Sequence, residues 1–298
     1  MAIINTFRFI TSHPLNRNNK LGALLRWAGW QIRSRLASGP LVVNFVNEAK
    51  LLVKPGMTGA TGNIYCGLHE FEPMAFILHM LKDDLFVDVG ANIGSYTILA
   101  GAVIGTRCIS IEPIPDTFEN LMQNIRINGI ENIVRAYNYG IGKEDGVMRF
   151  TAHLDTMNRV AVDADSNAQK TIQVEIKKLD TIIAKLKPAL MKIDVEGYET
   201  EVIASADDIL SQPTMNAVIM ELDGYGKRYG FDETLLHRRM MDYDFAPCSY
   251  SPFDRKLIVL NDNNKRSGNN LYIKKQNIDS VRERLFTAPL LYIHGTTI

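Results

Sequence analysis

The apolar positions of this chain change period along its length, and that change is the first structural signal. From Glu70 onward, short continuous apolar runs alternate with longer runs of helical periodicity. The segments 71–81, 92–104 and 117–129 read as helices, and 85–90, 108–113 and 134–141 as short buried strands. A strand-like run at 171–179 leads into a helix over 180–186. Strand 190–197, a helix over about 200–210, strand 216–224 and a helix over 233–241 follow. Strands and helices in this alternation predict βαβ units around a parallel sheet.

Both ends depart from the alternation. Residues 245–251, 256–261 and 270–275 are strand-like runs with no helical pattern long enough for a crossover, which predicts antiparallel pairing at the sheet edge. Near the start, 41–46 and 50–54 predict a hairpin, followed by a Gly-rich turn region over 56–63. Before the hairpin, Leu21, Leu24, Leu25, Ala28, Ile32 and Leu36 recur at helical spacing, with Arg26 and Arg33 toward another face. An amphipathic helix is expected over about 21–37, ended by Gly39-Pro40. Residues 152–169 read as a loop-like insertion able to cover a substrate.

Composition narrows the function. The 33 basic and 33 acidic residues cancel, so no global field draws a nucleic acid, and a nucleic-acid partner is not expected. The neutral total conceals one asymmetry. The first 47 residues hold Arg8, Arg17, Lys20, Arg26, Arg33 and Arg35 but no Asp or Glu. That segment reads as an ordinary docked helix with solvated arginines, or as a basic surface giving peripheral contact with an anionic membrane lipid or glycolipid. Its apolar residues are also compatible with a homodimer. Cys66, Cys108 and Cys248 form no CxxC pair, which fits a reducing, cytoplasmic setting, and no apolar run is long enough for a membrane span.

The strongest local signal is the run from Val87 to Gly94, VDVGANIG, where a buried strand ends in an acid, two glycines four apart and a helix. Glycines let the backbone turn sharply and approach a ligand, and the helix beyond offers unpaired N–H donors. A dinucleotide loop would carry glycine where Asp88 stands, so a nicotinamide-dependent oxidoreductase is the weaker rival. A carboxylate suits a cation, and the amino group of S-adenosylmethionine is one. Glu112, ending the next strand, is placed to bind ribose hydroxyls.

These residues, with the NIRINGI segment, the LDT turn and above all MKIDVEGYETEVI, resemble the FkbM-type methyltransferase family over roughly residues 60–275. The resemblance implies an α/β, doubly wound, Rossmann-like class I methyltransferase sheet, with S-adenosylmethionine as donor and usually O-methylation. It makes Asp88, Gly90, Ala91, Asn92 and Gly94 the methionine-side turn, and Glu112 with Pro113 the ribose side. It puts 138–142 near adenine, with Ile141 as an apolar contact. The expected organisation is a basic helix and hairpin cap over 1–66, the methyltransferase domain over 67–275 and a tail over 276–298.

Methyl transfer is a displacement that requires alignment and, for a hydroxyl acceptor, removal of a proton. Asp194, at the end of its strand, is the leading base. Glu196 and Glu221 are expected to converge with it and help bind the acceptor. A hard cation held by these acids is the alternative to a base role, while Glu199 and Glu201 read as helix-capping acids. His69, His79 and His153 are further candidate bases, of which only His153 lies in the insertion. The expected acceptor is a small molecule or glycan, such as a sugar, glycolipid or secondary metabolite. A protein that binds the cofactor without catalysis is the rival outside the enzymes.

Overall fold

The computed structural model describes residues 2–54, 56–152, 157–162, 171–261 and 267–298. Helices α1 (Ala2–Ser12) and α2 (Lys20–Leu36) precede a hairpin of β1 (Leu41–Asn44) and β2 (Lys50–Val53), followed by α3 (Thr58–Cys66). Then come α4 (Phe71–Met80), β3 (Leu85–Val89), α5 (Ser95–Ile98, continued by wider π turns over Leu99–Ile104), β4 (Arg107–Ile111), α6 (Pro115–Ile127) and β5 (Val134–Tyr137). The middle holds β6 (Gly140–Ile141), β7 (Gly146–Thr151), β8 (Thr171–Lys177), α7 (Leu179–Ile183), β9 (Leu190–Ile193), α8 (Glu199–Ala204), α9 (Asp207–Ser211) and β10 (Ala217–Leu222). Last are α10 (Glu233–Asp242), β11 (Phe245–Ser251), β12 (Lys256–Val259), β13 (Gly268–Lys274), α11 (Ile278–Thr287), β14 (Tyr292–Ile293) and β15 (Thr296–Thr297).

The main sheet runs β12-β11-β13-β10-β9-β3-β4-β5. Strands β10, β9, β3, β4 and β5 are parallel neighbours, and β13 pairs antiparallel with both β10 and β11. The chain is the expected doubly wound α/β fold. Sequence order reverses between β3 and β9, which opens a crevice at their carboxyl ends.

Alternation within the strands makes the two layers. Phe86 of β3 joins the hydrophobic cluster built with α4 and α5, while Leu85, Val87 and Val89 join the one built with α7 to α10. Because both faces are covered, all five residues of β3 are buried. Fully buried Val, Leu and Ile side chains stabilise by about 1.5–3 kcal/mol each.

Four local expectations change. The Gly-rich segment expected as a turn region instead contributes to α3, which ends at Gly67 with φ +86°. The 171–179 run does not enter the main sheet. As β8 it pairs with β7 and β6 in a separate three-stranded sheet. The helix over 200–210 breaks at Ser205, whose Oγ donates to Val202 O and accepts from Leu179 N, while Asp180 accepts from Asp208 N and Ile209 N to start α9. Helix α2 forms where expected, with Asn19 accepting from Gly22 N at its start, but it is turned around its axis. Ala23 and Trp30 are buried, Leu21, Leu25, Ile32 and Leu36 face outward, and Arg26 points inward.

The physical reason lies at the end of α3. Helix C-terminal carbonyls lack partners, and Arg26 supplies them: Nε and Nη2 donate to Tyr65 O at 3.2 and 2.9 Å, and Nη2 donates to Asn16 Oδ1 at 2.7 Å. Beyond β13, α11 buries Val281 and Leu285 in the same cluster as α4.

Candidate active site

The turn after β3 is set by backbone geometry. Gly90 has φ +78°, and a Cβ there would lie 1.8 Å from Asp194 O, so only glycine lets the turn pack on the end of β9. Gly90 N and Ala91 N donate to Ile111 O, tying the turn to β4. Asn92, also left-handed at φ +51°, donates through its N–H to Glu112 Oε2 at 3.0 Å. Gly94 has φ +92° and leads into α5, with Leu121 of α6 packed where a Cβ would stand.

Glu112 is buried and pinned twice, since Oε1 also accepts from Ile114 N at 2.9 Å. Burial pushes its carboxyl up to about 7. Together with Pro113, Ile141 and Tyr139 it walls a narrow slot of about 60 Å³ that runs from Gly90 and Asn92 toward β6. Asn158 and Val160, within the described part of the 152–169 insertion, border the same slot, and Tyr229 Oη donates to Val160 O.

Asp88 stands elsewhere. It lies beneath the turn with 1% exposure, and its Oδ2 accepts from Thr97 Oγ1 at 2.6 Å. Desolvation pushes it up to about 6, against the opposing effects of Thr97 and Lys192. Its carboxylate therefore supports the turn from below and does not wall the slot.

A wider cavity of about 380 Å³ opens on the other side of Gly90 and Asn92. Asp194, Glu196 and Glu221 all border it, so the structure brings the three predicted acids together. Ala91 borders it too, and so does Glu70, ahead of α4. Glu70 Oε2 accepts from Tyr96 Oη at 2.9 Å, and Oε1 accepts from Asn269 Nδ2 of β13, the residue paired with Glu221 across the sheet. Gly90, Asn92, Asp194 and Glu196 border both the slot and the cavity, so the two meet there.

One cation organises these acids. Lys192 is 1% exposed, with Nζ 3.2 Å from Asp194 Oδ2, 3.9 Å from Glu221 Oε2 and 5.3 Å from the Tyr96 ring centre. Burial alone would lower its pKa. Asp194, Glu70, Glu221 and Asp88 outweigh that and raise it, so the ammonium stays charged. The contact with Asp194 is an ion pair off the hydrogen-bond axis. Glu221 is pushed well above the usual carboxylate range by burial, then by Asp194, with which it shares a hydrogen bond. Glu196, at φ +55°, is pushed up to about 7 by burial and by Asp194 and Glu199, while Arg228 and Arg159 oppose.

Glu199 and His79 take structural places. Glu199 accepts from Gly197 N and Val195 N, closing the turn ahead of α8. His79 is buried against Tyr250 Oη, whereas His69 borders the wide cavity. His153 and most of its insertion lie outside the described residues. Among the described residues, no group of three or more His, Cys, Asp or Glu is arranged to hold a metal ion.

Lys192 and Glu70 escaped the sequence reasoning. Lys192 had a signal, a charged residue inside an otherwise apolar four-residue strand, which demands a buried counter-charge. Glu70 had none, because its partners come from residues 96 and 269.

The model of the methyltransferase FkbM domain matches residues 88–245, more than half of the chain. The chain belongs to the FkbM methyltransferase family. Among its relatives, "Methyltransferase 1" of Beauveria bassiana is 25% identical over 60% of this chain and 80% of its own length. The "Hexuronic acid methyltransferase AglP" of Haloferax volcanii is 27% identical over 47% of this chain and 56% of its own. A solved methyltransferase FkbM from Methylobacillus flagellatus KT gives a TM-score of 0.46 at 18% identity, over 72% of this chain; this chain spans about half, 52%, of that protein. The family makes the protein a methyltransferase, and the matched span runs from Asp88 past Glu221, so it contains the turn, Glu112 and the three acids.

Proposed function

We propose that this methyltransferase uses S-adenosylmethionine to methylate a hydroxyl oxygen of a sugar, glycolipid or other small polyhydroxylated acceptor. The observation that carries the reading is the meeting of a narrow slot and a wide cavity at Gly90, Asn92, Asp194 and Glu196. The slot's chemistry fits the cofactor. Glu112 offers carboxylate oxygens to a ribose diol, Pro113 and Ile141 give apolar contact to a purine, and the acids at the junction suit a sulfonium. When bound, S-adenosylmethionine supplies an electrophilic methyl group on sulfur.

Asp194 accepts the proton of the acceptor hydroxyl. Burial and the neighbouring Asp194 favour the protonated form of Glu221, which points to Asp194 as the base. Lys192 fixes the Asp194 carboxylate and balances the charge of the acids around it. Glu196 and Glu70 offer hydrogen-bond acceptors to neighbouring hydroxyls. The hexuronic acid methyltransferase among the relatives supports a sugar as acceptor class.

Calorimetry with S-adenosylmethionine tests the cofactor half. Wild type binds, and Glu112→Ala weakens binding about ten-fold or more, the loss of at least 1.4 kcal/mol of interaction. An Asp194→Asn variant still binds the cofactor but loses about 10²–10⁴ in kcat with tritiated donor and a panel of sugars. Absence of binding by folded wild type would sink the proposal.

A further inference from the structure

The outward face of α2 has no partner among the described residues. Leu21, Leu25, Ile32 and Leu36 are 70, 63, 61 and 82% exposed. At about 100° per residue they fall within roughly a 60° arc, on the side opposite Ala23 and Trp30. Ile4 and Phe9 of α1 are exposed as well. An aliphatic stripe costs free energy in water, and nothing in α2 forces it outward except the inward demand of Arg26 and Trp30.

Charge selects the occupant. Arg8, Arg17, Lys20, Arg33 and Arg35 are exposed, and no Asp or Glu occurs in the first 47 residues to offset them. A second copy docked about a two-fold axis would set this basic segment against itself. A stripe of leucine and isoleucine flanked by arginines on one helix fits an anionic lipid surface, with aliphatic side chains among the acyl chains and arginines at the headgroups. We infer that the α1–α2 face docks on a membrane surface rich in anionic lipid.

The placement of the face relates it to the active site. His13 and Pro14, in the turn joining α1 to α2, wall a cavity of about 400 Å³ that shares His69 and Glu70 with the cavity holding Asp194. The turn that joins the two helices of the docking face is thus a wall of the cavity next to the one that holds Asp194. No helix among the described residues is long and apolar enough to cross a membrane, so the contact is peripheral.

The test is co-sedimentation of the full chain with phosphatidylcholine vesicles, with and without phosphatidylglycerol, at low and high salt. Wild type should sediment with the anionic vesicles and be released by salt. Leu25→Ser/Ile32→Ser/Leu36→Ser should abolish sedimentation, and Arg33→Ser/Arg35→Ser should lower partitioning about ten-fold or more. All these positions are exposed, so thermal melts of both variants should match wild type, and cofactor binding should be unchanged whatever the acceptor is. The inference fails if wild type ignores anionic vesicles, binds neutral and anionic ones alike, or is undiminished by the triple substitution. It also fails if light scattering finds a dimer that the triple variant dissolves while no vesicle binding occurs, since the face would then join two copies.

Discussion

Gly90 shows how little room the site leaves at one position. An alanine there would need φ near +78°, about 1–2 kcal/mol unfavourable for an L-residue. Its Cβ would also strike the carbonyl that ends β9. Gly90→Ala should lower the melting temperature and weaken S-adenosylmethionine binding about ten-fold or more, measured by melting and calorimetry; wild-type affinity would contradict the packing described. At this scale the sequence was legible where the residue type has one use. Gly90 and Gly94 stand out because the turn needs positive φ at both, and Glu112 because it ends a buried strand in a carboxylate. It was less legible where a role depends on distant partners, as with Glu70, or on side-chain direction. Asp88 was expected at the ligand, yet alternation along β3 aims it toward Thr97 of α5, under the turn.

Among the elements, α2 shows most clearly what a periodic pattern can and cannot say. Its apolar repeat fixed the existence and limits of the helix, but not which face turns inward. Hydrophobicity favours burying the leucines, and the free carbonyl of Tyr65 together with Asn16 favours burying Arg26; here the hydrogen bonds and Trp30 decide. Two arginines of one helix should therefore behave differently. Arg26→Ala should cost about 1.5–3 kcal/mol, since it strips charge-assisted bonds from buried acceptors, whereas Arg33→Ala should stay within about 0.5 kcal/mol. Equal denaturant midpoint shifts would contradict this orientation. Similar limits explain β8, whose alternating pattern marks a strand but does not name the sheet it joins, and α3, where Gly and Thr mask a helix held by tertiary packing.

Across the molecule, buried acids concentrate at one end of the sheet, and that governs stability against pH. Asp88, Glu112 and Glu199 titrate near 6, 7 and 7 when folded, mainly through burial, above their unfolded values of 3.8, 4.5 and 4.5. The folded state thus binds more protons than the unfolded state in that interval. Stability from these groups is present below their unfolded values and is lost as pH rises through 6 to 7. His13, His79 and His294, lowered by burial to about 4, 3 and 4, and His69, lowered likewise, have the opposite sign, and they act up to about pH 7.5, where the unfolded imidazole still binds part of a proton. Between pH 6.5 and 8 the acids, joined by Glu196 and Glu221, which burial also raises, outweigh these histidines, so the ligand-free protein should melt at a lower temperature at pH 8 than at 6.5. Glu199→Gln should flatten that slope without removing its acceptor oxygen; a slope unchanged in the variant would refute the assignment.

The position of β13 bears on how the protein is made. It lies between β10 and β11, yet it is synthesised after both, and it brings Asn269 to Glu70 across 199 residues. During translation β10 and β11 must wait with open edges until residue 274 is free to insert between them. Unpaired edges are templates for wrong pairing, so the interval before insertion is when the nascent chain most needs protection. A wall of the 400 Å³ cavity beside the one that holds Asp194 is also late to arrive: a chain halted before Gly268 would carry every residue that lines the slot and the Asp194 cavity but only part of the lining of their neighbour.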